Sequence, residues 1–284
     1  RLIHQLKILA IPIIEVSPLF FGLAVIGLLS PLWDKTSRPA TTFIIVFWVF
    51  SFLTMCIAFY LRAHYFLYLF PATALLIGIG FNSFYLIIKN SRLIKLKSFI
   101  IISVLLIVFT YSVLDQRKLL FQTTPEALSR ILYGSNPFTE SLVIADYVHE
   151  NSSPQDKIAI LGSEPQIFFY ADRISATKHI LTYYLMGNHQ HANIMQKEAM
   201  TDIELSKPPI LINVVIPTSW LFQKDSKPML FHWLDSFVSR YYKLAGIVEI
   251  LNTKTTNYFW GKDIIKFSPK GDNFIQIYQR KQRL

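Results

Sequence analysis

The chain has 284 residues, of which 52% are hydrophobic, and its mean hydropathy is +0.37. This composition is too apolar for an ordinary soluble domain. The net charge of +10 comes without any nucleic-acid recognition motif, so we expect no nucleic-acid partner, and the single cysteine, Cys56, excludes an internal disulfide.

The chain begins with Arg1 rather than Met, and no signal-peptide pattern follows it, so we expect further residues upstream. The first fourteen residues mix Arg1, His4 and Lys7 with apolar side chains. Such a mixture favours an amphipathic helix at a membrane interface; the alternative is the flank of the next apolar stretch.

Apolar stretches of 17–24 residues predict about four membrane helices, because about 20 apolar residues span the hydrocarbon core. They lie at residues 16–33, 41–61, 65–88 and 98–114. Basic residues concentrate at residues 89–97, which the positive-inside rule assigns to the cytoplasm. Residues 34–40 then also lie in the cytoplasm, and Arg62 and everything after residue 114 lie outside it. Arg1 and Lys7 would lie outside as well, against the rule. An interfacial or re-entrant start would explain this, and so would a mistake about the first span.

Arg62, His64 and Tyr65 lie together at the predicted outer surface. An arginine binds phosphate through a bidentate fork, a histidine adds a donor, and a tyrosine ring frames a headgroup. One hypothesis is therefore a site for a lipid phosphate, such as that of a polyprenyl-phosphate sugar donor. The alternative is anchoring by a snorkelling arginine and an aromatic belt.

From residue 115 the composition becomes that of a globular domain, so we divide the chain into a membrane region, residues 1–114, and an α/β domain, residues 115–284. Thr124 before Pro125 predicts a helix start. Periodicity predicts further helices at residues 138–150, 166–172, 192–205 and 226–242. Strands are predicted at residues 157–161, 209–215, 244–251, 258–260 and 273–278, the last as part of an edge hairpin.

The stretch after the first strand, GSEPQIFFYADR at residues 162–173, lacks a glycine-rich phosphate motif, so no nucleotide site is expected. Ser163 is interpreted as a helix cap. Polar and aromatic side chains then accumulate, and Arg173, Thr177 and Tyr183, with Glu164, are candidates for binding an acceptor. The alternative is a partly exposed loop.

Residues 217–220 follow the second strand, where open α/β sheets form ligand crevices. His189 and His191 have no third ligand nearby in the sequence, so no metal site is predicted there.

Three segments together resemble the C-terminal part of bacterial GT-C glycosyltransferases related to dolichyl-phosphate-mannose protein mannosyltransferases. They are LRAHYFLYLFPATALLIGIG, IADYVHENSSPQDKIAILGSEPQIFFYADRISATKHILTYYL and INVVIPTSWL. The resemblance covers almost the whole chain, and residues 162–173 are its most specific element.

The resemblance implies a multi-pass enzyme of the bacterial inner membrane and cell envelope, with the C-terminal domain outside the cytoplasm. Such an enzyme transfers a sugar from a polyprenyl-phosphate donor to an acceptor glycan or lipid. The acidic residue that is expected to act as the family's catalytic base lies in its first outer loop, near the N-terminus, and matches no residue here, so we expect it upstream and assign no catalytic residue. No cofactor is expected in this chain, and a divalent metal in the full-length enzyme stays open. The resemblance places Arg62, His64 and Tyr65 where family members gather basic groups near the lipid phosphate.

Two other hypotheses remain. The chain could be a membrane-anchored module that binds a glycan or a protein without catalysis, or an inactive truncated product.

Overall fold

The computed structural model describes residues 11, 13–15, 17–56, 63–89 and 97–281. The chain forms two compact units, Arg1–Thr123 and Thr124–Leu284. From the sequence, this boundary is predicted earlier, after residue 114, because the apolar stretch ends there. In the structure, a short helix that follows this stretch still belongs to the first unit.

The first unit is helical throughout its described residues. A 3-10 helix at Ala63–Leu69 leads into the third of its helices. The helices are α1 (Pro18–Leu29), α2 (Arg38–Cys56), α3 (Phe70–Lys89), α4 (Lys97–Asp115) and α5 (Arg117–Phe121).

Within the described part of the chain, two helical stretches, Lys35–Cys56 and His64–Leu86, are long and apolar enough to cross a membrane. This criterion is one of length and composition, and the core helix of a soluble protein also meets it. Two further apolar stretches, Pro18–Leu32 and Phe99–Asp115, are shorter. The twelve residues of α1 rise only about 18 Å, less than the hydrocarbon core of about 30 Å, so α1 alone is shorter than a span.

Small residues bring α1 and α3 into backbone contact. A Cβ atom on Gly27 would overlap the carbonyl oxygen of Leu76, and one on Gly80 would overlap that of Leu23. Such close approach of two helices requires residues without side chains. The glycines therefore fix the spacing of this helix pair.

The second unit is an α/β domain. Its helices are α6 (Pro125–Tyr133), α7 (Phe138–Glu150), α8 (Pro165–Ala171), α9 (Ala192–Ser206) and α10 (Met229–Tyr241). Its strands are β1 (Lys157–Leu161), β2 (Ile174–Ser175), β3 (Ile210–Val215), β4 (Tyr242–Ile250), β5 (Thr256–Trp260) and β6 (Phe274–Arg280). The predicted helix at residues 138–150 and strand at residues 157–161 are confirmed with the same bounds, and the Thr124 hydroxyl caps α6 by accepting from the Ala127 N–H.

The strands of the described residues form a six-stranded sheet in the order β2-β1-β3-β6-β4-β5. β1 pairs in parallel with β2 on one side and with β3 on the other. The remaining neighbours pair antiparallel. Because the chain leaves β1 toward β2 and then returns past β1 to β3, the strand order reverses between β1 and β3.

Helices cover both faces of the sheet. Ile158 and Ile160 of β1 pack with α7 and α8 on one face. Ala159 and Leu161 pack with α9 and α10 on the other. This double coverage explains why β1 and β3 are continuous apolar runs rather than alternating patterns.

The prediction that residues 273–278 belong to an edge hairpin is wrong. β6 lies inside the sheet, between β3 and β4, and the hairpin at the sheet edge is instead β4 with β5. Ile275 and Ile277 are completely buried. The imperfect alternation in this segment reflects partial cover on its second face, where Gln276 and Tyr278 are only partly buried.

Candidate functional site

An apolar groove of about 750 Å³ lies between α1, α2 and α3 in the first unit. Phe21 and Val25 of α1, Trp48 of α2 and Leu76 of α3 contribute to its walls. Thr73 carries the only side-chain hydroxyl among the described residues that line it, and that hydroxyl donates to the Leu69 carbonyl at 2.8 Å. The groove therefore offers hydrocarbon surface and almost no free polar group.

His64 and Tyr65 lie in the 3-10 turn that also supplies a wall of this groove. Phe66 and Leu69 of that turn line the groove and are buried. Tyr65 packs against the cluster that contains them, and the exposed His64 ring meets the edge of the Tyr65 ring at a centroid distance of 4.5 Å. The sequence-predicted pair thus lies beside the apolar groove, with the imidazole accessible. Arg62, the third residue of the predicted cluster, lies outside the described residues.

A second site lies at the carboxyl ends of β1 and β3, where the strand order reverses. The turn after β1 and the turn after β3 are joined by the Ser163 N–H, which lies 3.2 Å from both the Ser219 carbonyl oxygen and the Ser219 Oγ. Gly162 packs so closely against Val214 that a side chain would clash. Residues 217–220 therefore lie at the carboxyl ends of the parallel strands, the position that the sequence predicts for them, and this junction of the two turns is called the crevice below.

Glu164 is the acidic group of this crevice. It is buried, and its carboxylate accepts from the Ser219 hydroxyl and, at 2.5 Å, from the Gln166 amide. Burial raises the pKa of Glu164, and these two hydrogen bonds partly oppose that rise. The ion pairs found among the described residues do not include Glu164. Its carboxyl therefore fastens the two turns to each other and presents little surface to a ligand.

A network of buried hydroxyls completes the crevice floor, and sequence reasoning missed it. The Thr182 N–H donates to Ser163 Oγ at 2.9 Å, and the Thr182 hydroxyl donates to the Ser219 carbonyl at 3.1 Å. Ser163 is therefore not the helix cap that its position suggests; Glu164 occupies the cap position of α8, and its side chain makes no capping bond. A small hydroxyl residue soon after each of two buried strands is the sequence signal that could have identified Ser163 and Ser219.

Arg173 lies at the opposite end of β1 from Glu164. It precedes β2, whose first residue, Ile174, pairs with the first residue of β1, Lys157. Its five N–H donors reach five oxygens, the Ser152 Oγ at 2.9 Å and four carbonyls at 2.8–3.1 Å. Arg173 therefore holds two loops together. None of its N–H groups is left to bind an acceptor substrate, contrary to the role predicted for it.

Thr177 and Tyr183 also occupy different places. Thr177 is buried, and its hydroxyl donates to Asp202 Oδ2 at 3.0 Å. Tyr183 is partly exposed and adjoins Thr182, which binds both crevice turns. The four predicted acceptor-binding residues therefore do not form one site; Glu164 belongs to the crevice, Tyr183 follows the crevice residue Thr182 in the chain, and Thr177 and Arg173 serve the fold elsewhere.

The two histidines near residue 190 have ordinary protein partners. His189 Nε2 lies 2.8 Å from the Tyr184 carbonyl oxygen, and the His189 and His191 rings are 6.4 Å apart. Among the described residues there is no group of three metal-binding side chains.

The chain matches no protein-family model, no curated protein and no solved structure. The support for a function therefore comes from the groove, the crevice and the sequence itself.

Proposed function

We propose that this chain is part of an integral glycosyltransferase of the bacterial inner membrane. In this proposal its apolar helices lie in the membrane, with the short α1 packed against α3, and its α/β domain lies outside the cytoplasm. The enzyme transfers a sugar from a polyprenyl-phosphate donor to an acceptor glycan or lipid, as the resemblance to GT-C glycosyltransferases implies.

Exposed apolar surface on the helices supports the membrane location. On α2, Phe43 and Phe50 are 68% and 63% exposed, and on α4, Phe99 and Phe109 are 70% and 62% exposed. A core helix of a soluble protein would bury such side chains, whereas a lipid-facing helix leaves them for the hydrocarbon. The protein itself buries 17% of the most apolar part of Lys35–Cys56.

The observation that carries the proposal is the apolar groove beside His64 and Tyr65. Its volume lies in the range of small-molecule sites, but those sites usually contain several placed polar groups. A groove with almost none suits a hydrocarbon chain, and a polyisoprenoid is such a chain. A phosphate at the end of that chain would need donors, which the adjacent turn supplies.

The proposed chemistry is an inverting transfer, in which a base removes the proton of an acceptor hydroxyl and the lipid phosphate leaves. Arg62 and His64 would stabilise the charge that develops on the leaving phosphate, and Tyr65 would frame it. The base is not assigned to a residue of this chain. The acceptor would bind at the crevice of the outer domain, near Glu164 and Tyr183.

The test is binding of a photoactivatable polyprenyl phosphate to the full chain in detergent. Val25→Trp places an indole in the groove, whereas Val46→Trp makes the same change on α2 at a residue of similar exposure that does not line it. We expect Val25→Trp to abolish cross-linking and Val46→Trp to leave it unchanged. Equal cross-linking of the two variants would show that the groove is not the binding site.

The phosphate contact is tested with His64→Ala. A hydrogen bond to a charged group contributes about 1.5–3 kcal/mol, so affinity for the polyprenyl phosphate should fall by about tenfold or more. Affinity for the uncharged polyprenol should not change. A phosphatidylglycerol competitor that displaces the probe as well as polyprenyl phosphate does would identify the groove as a general lipid site and contradict the proposal.

The second candidate is a membrane-anchored module that binds a glycan or a protein without catalysis. The crevice of the outer domain favours it, because this site is built at the usual ligand position of an open α/β sheet. Calorimetry of the full chain with envelope glycans tests it directly, and Tyr183→Ala should remove any heat of binding. Heat that survives this substitution would place glycan binding elsewhere.

A further inference from the structure

The helix α6 turns its apolar side away from the protein. Leu128, Ile131 and Leu132 are spaced so that they share one side of the helix. Amphipathic helices of globular proteins normally bury this side. Here Ile131 and Leu132 are 63% and 59% exposed, and Tyr133 is 55% exposed.

The polar side of α6 is held inward by a buried ion pair. Two residues along a helix correspond to about 200°, so Arg130 lies opposite Leu128 and Leu132. The Arg130 side chain is only 12% exposed, and its guanidinium donates to the carboxylate of Glu140, which is 1% exposed. Arg130 also donates to the Asn136 carbonyl at 3.1 Å. These bonds fix the rotation of α6 about its axis, so its apolar side is directed outward by the fold.

The exposed apolar side continues onto the next helix. Gly134, whose φ is +61°, turns the chain between α6 and α7. The Tyr133 ring then meets the Phe138 ring edge-on at a centroid distance of 4.9 Å. Phe138 and Leu142 lie one turn apart on α7 and are 36% and 44% exposed. The α6 face is defined as Ile131, Leu132, Tyr133, Phe138 and Leu142, and none of these residues is charged.

Chain connectivity and nearby charge bear on what covers this face. α4 ends at Asp115 and α6 begins at Pro125, so at most about 35 Å of chain separates them, and the helical α5 shortens that distance. If α4 crosses the bilayer, α6 stays close to the headgroup layer. The connecting segment contains the exposed Arg117 and Lys118, which anionic headgroups attract. Tyrosine and phenylalanine rings also suit the interfacial layer.

We propose that the α6 face docks on the surface of the lipid bilayer and holds the outer domain against the membrane. The proposal rests on the membrane location proposed above. α6 would lie in the interfacial plane with Ile131 and Leu132 toward the acyl chains, while Arg130 and Glu140 keep it attached to the domain. The domain would then be fixed to the membrane by its own surface as well as by the chain connection.

The experiment uses the full chain with Cys56→Ala, reconstituted in vesicles of phosphatidylcholine and phosphatidylglycerol. A single cysteine at one of three positions carries an environment-sensitive fluorophore. Leu132→Cys reports on the α6 face. Leu205→Cys, 77% exposed on α9, is the matched control, since α9 covers the opposite face of the sheet. Phe109→Cys on α4 reports on membrane insertion. Lipids with a nitroxide near the headgroup and in the acyl chain act as quenchers.

We expect lipid nitroxides to quench the labels at positions 132 and 109 and to leave the label at position 205 bright. A bright label at 132 with a quenched label at 109 would overturn the docking of α6 and leave the membrane location intact. Labels that are bright at both 109 and 132, on a chain that does not float with vesicles, would show that the membrane location itself is wrong. A label at 132 that iodide cannot reach and lipid nitroxides do not quench would show that protein covers the face, which also overturns the proposal.

Discussion

Replacing Glu140 with glutamine should destabilise the outer domain, because it removes the counter-charge of Arg130. Breaking a buried ion pair costs about 3–5 kcal/mol, since the remaining charge stays buried. Arg130 keeps its bond to the Asn136 carbonyl, and glutamine can still accept from the Thr256 hydroxyl, which lies 2.6 Å from Glu140 Oε1. Each retained bond is worth about 1 kcal/mol, so we expect a loss of about 1–3 kcal/mol.

The control is the same chemical change at an exposed pair. Asp263 and Lys266 form an ion pair of 2.6 Å whose side chains are 60% and 75% exposed. An exposed pair contributes little, so Asp263→Asn should leave the stability of the domain unchanged within error. The comparison separates the effect of burial from that of removing a carboxylate charge.

The assay is thermal unfolding of the full chain in detergent, followed by near-ultraviolet circular dichroism. For a unit of this size, a loss of about 1–3 kcal/mol lowers Tm by roughly 2–12 °C. Adding Arg130→Met to Glu140→Gln removes both charges and should cost less than the sum of the two single changes. Two results would refute the coupling between Arg130 and Glu140. One is a Glu140→Gln variant with the same Tm as Asp263→Asn. The other is a double variant whose loss of stability equals the sum of the losses of its two single variants.

Three further predictions follow from buried groups and close contacts. Burial raises the pKa of Glu164 above its ordinary value, so the folded state holds this proton more tightly than the unfolded state does. Stability should therefore fall as pH rises from the unfolded to the folded pKa of this group. Glu164→Gln should flatten the dependence of stability on pH measured from pH 4 to pH 8, and an unchanged slope would contradict the prediction. Burial also raises the pKa of Tyr242 to about 12, so stability should fall as pH rises from about 10 toward 12. Tyr242→Phe should make that fall smaller, at the cost of the 2.8 Å bond to the Pro208 carbonyl, while Tyr147, Tyr258 and Tyr278, whose pKa values burial also raises, keep the rest of it. Ultraviolet titration of the tyrosines, compared between the two proteins, checks this, and ionisation of Tyr242 near pH 10 would disprove it. Gly80→Leu should push α1 away from α3 and destabilise the first unit by about 1–3 kcal/mol or more. Gly78→Leu is the control, because a side chain there meets open space and should not destabilise the unit. Equal melting temperatures of the two variants in detergent would show that the close contact is not required.

Local patterns predicted most of the secondary structure of the outer domain. The apolar run at residues 157–161 and the helical periodicity at residues 138–150 match β1 and α7, because burial on one or both faces leaves a direct periodic trace. The crevice position of residues 217–220 also followed from the rule for open α/β sheets.

Pairings between distant residues could not be read from the sequence. The position of β6 depends on partners that lie more than 20 residues away along the chain, and short strands look alike whether they are central or at an edge. Arg173 is polar and lies in a loop-like stretch, so it suggested a ligand site, but its partners are carbonyl groups that the sequence does not reveal. The outward apolar side of α6 likewise depends on Glu140 receiving Arg130.

The central position of β6 has a consequence for how the outer domain is made. During synthesis, β1 to β5 leave the ribosome before β6, so β3 and β4 have no common neighbour until the last strand of this chain arrives. Both strands then present unpaired backbone groups, which are templates for aggregation. The sheet can close only after these residues have been exported, if the domain lies outside the cytoplasm. A chain that ends before Phe274 would therefore have two unpaired strand edges, on β3 and β4, in the middle of its sheet.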